Sequence, residues 1–119
     1  MDKFTQAYIE AALWSSTDES REDGGDPLDD NYSMKDFSPE SLEKIEKDCK
    51  QFQEENKELL QQSGQSDEQN GHDFWLTRNG HGAGFFDRDL GEIGDKLTEI
   101  CDKWGEVYIY VGDDGQLYI

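Results

Sequence analysis

The sequence predicts an α+β domain: N-terminal helices packed with a small, mainly antiparallel sheet, in the order α-α-β-β-α-β-β. Three observations carry that expectation. Apolar residues recur at helical spacing in three stretches. Two shorter stretches are dense in β-formers, and each is followed by a strong turn signal. The 119 residues suit one domain, with 71–119 as a compact hairpin, helix and hairpin half.

The first helix is expected over 3–16. Phe4, Ala7, Tyr8, Ala11 and Ala12 repeat at helical spacing, with Ile9 and Leu13 on an adjoining stripe. A composition shift follows at 18–36, DESREDGGDPLDDNYSMKD, where Gly24, Gly25 and Pro27 break regular structure. This segment reads as an acidic loop or linker.

A second helix is expected over 39–62. Ser38 is a good N-cap, and Pro39 occupies the first helical position, where a missing N–H costs nothing. Leu42, Ile45, Cys49, Phe52, Asn56 and Leu59 form a heptad-like seam. Such a seam either packs on the rest of the domain or, with its lone Asn, sets register in a homodimer, so monomer and homodimer both stay open.

Residues 63–71 read as a loop. His72–Thr77 (HDFWLT) reads as a strand, Asn79-Gly80 as a turn, and Phe85-Phe86 as the returning strand of a hairpin with a glycine-rich tip. A third helix is expected over about 89–104, from the spacing of Leu90, Ile93, Leu97, Ile100 and Trp104, with Gly105 as its C-cap. EVYIYV (106–111), a turn at 112–115 and QLYI (116–119) make a second hairpin.

Charge says more about function than any motif does. The chain holds 29 Asp and Glu against 11 Lys and Arg, a net charge of −18. Such a surface is a poor fit for nucleic acid, whose binding needs Lys and Arg to displace counterions. A basic protein surface is the natural complement. No apolar run reaches the length of a membrane span, no secretory leader is visible, and Cys49 and Cys101 lack a CxxC spacing. Both cysteines lie on core-facing stripes and read as buried thiols of a reducing compartment.

No complete catalytic site is legible, so the chain reads as a non-enzyme without cofactor or metal. His72, Asp73, His81, Asp87 and Asp89 match no zinc spacing. Gly80, Gly82 and Gly84 form GxGxG, but the tip joins two expected strands and does not open directly onto a helix N-terminus. Arg78 and Arg88 are expected to pair structurally with Asp73, Asp87 or Asp89. Asp113-Asp114-Gly115 lacks the ligand pattern of a calcium loop. Neither GxSxG nor a Cys–His motif is present.

The segment HDFWLTRNGHGAGFFDR (72–88), followed by LGEIGDKLTEICDKWGEVYIYVGDDGQLYI, resembles a family of small uncharacterised proteins encoded by bacteriophages and plasmids. The likeness covers 71–119. It implies a mobile-element origin and a bacterial host cytoplasm, and it carries no catalytic residues across. Small acidic phage proteins in turn resemble DNA mimics such as anti-restriction proteins, anti-CRISPR proteins and uracil-glycosylase inhibitors.

The expectation is therefore an inhibitor that binds a basic nucleic-acid-handling host protein, without membrane or direct nucleic-acid contact. Its expected contacts are Asp18, Glu19, Glu22, Asp23, Asp26, Asp29, Asp30 and Asp36 in the acidic segment. Glu43, Glu46, Glu54, Glu55 and Glu58, with Asp48, extend them along the second helix. Lys44, Lys47, Lys50 and Lys57 interrupt that stripe. The alternative is an interaction module whose hairpin tip presents Trp75, Arg78, His81 and Phe85. A third reading is a small-ligand binder or enzyme using His81 and the glycine loop.

Overall fold

A computed structural model describes residues 1–20, 25–81 and 83–119. Among these residues five α-helices pack with one two-stranded antiparallel sheet. The fold is thus α+β in content, but it is more helical than the sequence pattern predicts.

Helix α1 (Lys3–Ser15) starts where the Asp2 carboxylate accepts the Thr5 N–H at 2.8 Å. Phe4, Tyr8, Ile9, Ala11 and Ala12 are all buried. The chain then folds back on itself: Thr17 and Pro27 form an antiparallel bridge, and the Leu28 N–H reaches the Ser16 carbonyl at 2.9 Å. Leu28 closes this acidic loop onto the core. Glu22 and Asp23 lie outside the described residues, as does Gly82.

Helix α2 (Pro39–Glu55) has the expected cap, with Ser38 Oγ accepting the Ser41 N–H. The single helix expected over 39–62 is broken at Asn56, and α3 (Lys57–Ser63) follows. The physical reason is local. The Asn56 side chain donates back to the Phe52 carbonyl at 2.9 Å, competing for a backbone acceptor of the last turn. Ile45, Cys49 and Phe52 are fully packed in this chain's own core.

The largest departure is at 72–86, where the expected hairpin does not form. Helix α4 (Asp67–Arg78) occupies both the expected loop and the expected strand. Phe85–Asp87 is a single 3-10 turn. Ser66 caps α4 by accepting the Gln69 N–H, and Asp67 and Glu68 stand in its first turn. From Asp73 to Arg78 every side chain is buried, so no one-sided apolar stripe exists to announce a helix. Phe74 stacks on Phe52 at a centroid separation of 3.9 Å and contacts Phe4, Tyr8 and Trp104, forming the aromatic centre of the core.

Helices α1 and α4 pack against each other at Gly71. A Cβ there would overlap the carbonyl oxygen of Phe4, so only glycine permits this approach. Helix α5 (Glu92–Trp104) ends at Gly105, φ 79°, and buries Leu97 and Cys101. Strands β1 (Tyr110–Val111) and β2 (Leu117–Tyr118) pair as Tyr110 with Tyr118 and Val111 with Leu117. Phe37 bridges the far side of Leu117, so the sheet is anchored to the turn before α2. No described helix is long and apolar enough to cross a membrane.

Candidate functional site

Among the described residues two features carry chemistry that the fold leaves uncommitted: exposed carboxylates at Glu19, at Asp29 and Asp30 and along α2 and α3, and a polar cleft beside the end of α4.

The exposed carboxylates are turned outward by two different devices. On α2 the buried stripe Ile45, Cys49 and Phe52 fixes which side meets the core, which turns Glu43, Glu46, Glu54 and Glu55 to solvent. Glu58 on α3 is also exposed. In the loop, burial of Leu28 turns Asp29 and Asp30 outward, and Glu19 and Asp26 are exposed as well. Among the described residues Glu19, Asp29, Asp30, Glu43, Glu46, Glu54, Glu55 and Glu58 take part in no ion pair. Lysines punctuate α2, and Lys44 stands 3.8 Å from Asp48.

Three expected contacts are corrected. Asp18 is buried, 3% exposed, and its carboxylate accepts the Ser20 N–H at 2.9 Å, so it shapes the loop and presents no charge outward. Asp36 is half-buried and accepts the Ser33 N–H at 2.7 Å, which caps a local turn. Asp48 is turned inward and is taken up by Arg78 at 3.3 Å.

The tip surface expected from Trp75, Arg78, His81 and Phe85 is corrected as well. Helix α4 carries Trp75 and Arg78 inward, and Phe85 is fully buried. Only His81 of the four is exposed, together with the neighbouring Phe86. The Arg78 guanidinium donates to the Gly105 carbonyl (2.9 Å), the Trp104 carbonyl (3.3 Å) and Tyr8 Oη (3.2 Å). It also lies 5.4 Å from the centroids of Phe74 and Trp104. Arg78 thus holds the C-terminal carbonyls of α5, where a cation complements the helix dipole.

The other arginine of this region behaves as expected. Arg88 grips Asp73, with Nε and Nη2 on the same carboxylate at 3.0–3.3 Å. Gln65 and Gln69 donate to the remaining lone pairs of this wholly buried group. Its charge is fully compensated, which is what burial of a carboxylate demands. His72 Nδ1 lies 3.8 Å from Asp73 without a hydrogen bond.

The cleft, about 460 Å³, lies between the end of α1 and the extended segment 106–109. Trp75 forms part of its wall, and its indole N–H donates to Ser15 Oγ at 2.7 Å. Asn79 holds the opposite side by accepting the Val107 N–H at 2.8 Å. His81, Glu106 and Tyr108 line the opening and are exposed. Sequence reasoning passed over Glu106 and Tyr108. The alternation of Glu106, Tyr108 and Tyr110 with Val107, Ile109 and Val111 does mark which residues face outward.

Both thiols are free and buried, and burial pushes the pKa values of Cys49 and Cys101 well above the ordinary thiol range. They offer no nucleophile. No group of three or more His, Cys, Asp or Glu is placed to hold a metal among the described residues. No family model matches the chain, and comparisons with characterised proteins and with solved structures return no match.

Proposed function

We propose that this chain is a non-enzymatic inhibitor from a phage or other mobile element. It binds a basic, nucleic-acid-handling protein of a bacterial host, such as a defence or DNA-processing protein, in the host cytoplasm. One observation carries the reading: eight exposed carboxylates of the 19–58 region stand outside any ion pair among the described residues, in a chain of net charge −18. Carboxylates left without cations at home complement the Lys and Arg of a groove built for phosphates, and their field speeds association. The mobile-element origin rests on the likeness over 71–119.

The test is capture from bacterial lysate at low salt, followed by elution with rising salt and by competition with duplex DNA. The expected result is one DNA- or RNA-binding protein, released by salt and displaced by DNA. Replacing Glu43, Glu46, Glu54, Glu55 and Glu58 together by Gln should abolish its capture. Undiminished capture by that variant sinks the exposed-carboxylate reading.

A further inference from the structure

We propose that the cleft between α1 and segment 106–109 receives an arginine side chain of the basic partner. This deepens the inhibitor reading and rests on it.

The cleft is a built feature of the fold. Two hydrogen bonds fix its walls: the Trp75 indole on Ser15 and Asn79 on the Val107 N–H. Arg78 in turn locks the end of α4 to the Trp104 and Gly105 carbonyls, immediately before the segment that forms the outer wall. The site is therefore held in shape before any partner arrives, which lowers the ordering cost of binding.

Its chemistry selects a planar cation. Among the described residues that line it, Glu106 is the one carboxylate and none is Lys or Arg. Glu106 Oε1 lies 3.9 Å from the position a Cβ would take on Gly80, an ordinary contact distance, so the carboxylate stands beside that turn. Tyr108 is 66% exposed on the same rim and supplies an aromatic surface. The hydroxyl of Ser16 and the ring of His81 add polar positions. A carboxylate beside an exposed tyrosine suits a guanidinium, which pairs through its fork and stacks on a ring; an ammonium does only the first, and less directionally. The rest of the molecule sharpens the selection, since its net charge draws cations and repels anions. Tyrosine and arginine are both enriched in interface hot spots.

The probe is N-acetyl-arginine methylamide, titrated into the full ¹⁵N-labelled chain and followed by amide and indole chemical shifts. The expected response is saturable and confined to 15–17, the Trp75 indole and 106–109. The citrulline analogue, equal in shape but uncharged, should bind about tenfold more weakly, as expected when a charge-assisted hydrogen bond becomes a neutral one. Glu106→Gln should weaken the arginine response to a similar degree, and Tyr108→Ser should narrow its preference for arginine over the lysine analogue. Both positions are exposed, so neither change threatens the core.

Equal binding of arginine and citrulline overturns the inference. So does a response spread over the acids of 26–58 and unchanged by Glu106→Gln, an outcome that leaves the exposed-carboxylate reading standing. A cleft response with no basic partner captured from lysate overturns the inhibitor reading, and with it the occupant named here.

Discussion

Arg78 Nη1 stands 3.3 Å from Asp48, joining the end of α4 to α2 through a guanidinium that is 4% exposed. The same group reaches Tyr8 on α1 and the last carbonyls of α5. Four helices therefore meet at one cation. Arg78→Met leaves Asp48 and two carbonyls without their donor and should cost about 3–5 kcal/mol. Arg78→Lys should recover little, because an ammonium has three N–H groups for the four partners met here and no planar face to lay on Phe74. Urea unfolding followed by circular dichroism reads both, as a lower midpoint at unchanged slope.

Gly71 sits where α4 touches the backbone of α1, and a methyl group there would overlap the Phe4 carbonyl. Gly71→Ala forces the two helices apart or twists one of them. The expected loss is about 1–3 kcal/mol, despite the higher helix propensity of Ala. Thermal unfolding checks it, and a stability equal to or above wild type would contradict the close approach.

Cys49 and Cys101 should be inert in the native protein, since burial both hides them and disfavours the thiolate. A thiol-reactive reagent at neutral pH should modify neither residue until denaturant is added, and then both. Mass spectrometry of the native and unfolded chain distinguishes the cases.

The Tyr118 phenol donates to the Asp114 carboxylate across the final turn. That hydrogen bond lowers the Asp114 pKa and raises that of Tyr118 to about 12. The signs follow. The depressed carboxyl stabilises the turn above its unfolded pKa, and this is lost as pH falls through the native value. The raised phenol contributes below its unfolded pKa, and this is lost as pH rises through about 12. Tyr118→Phe should return Asp114 toward the ordinary carboxylate value, measurable by NMR titration.

Elements with one buried face were legible in the sequence. The stripe of α1, the Ser38-Pro39 start of α2, the Leu97 face of α5 and the final turn all fall where periodicity and capping put them. Helix α4 was not, because Asp73 to Arg78 is buried on every side and its Phe-Trp-Leu-Thr run reads locally as strand. The overlooked signal was Ser66 three residues before Gln69, a capping pattern within the supposed loop. That one misreading displaced the candidate site. A hairpin tip would have exposed Trp75, Arg78 and Phe85, whereas a helix buries them and leaves Glu106 and Tyr108 at the rim. The inward turn of Asp48 was equally hidden, since it is claimed by Arg78, which only the fold brings near; Asp18 and Asp36 are claimed by their neighbours Ser20 and Ser33 in local turns.

Among the described residues the cations sort by kind. All eight lysines are exposed, while Arg78 is sealed in the core and Arg88 is bound to Asp73. Reagents or enzymes that neutralise amines can therefore strip the positive charge these lysines carry without touching the ion pairs that hold the fold. Acylated throughout, the chain would keep its architecture and become a still stronger polyanion. Its scaffold and its outward charge are separately adjustable.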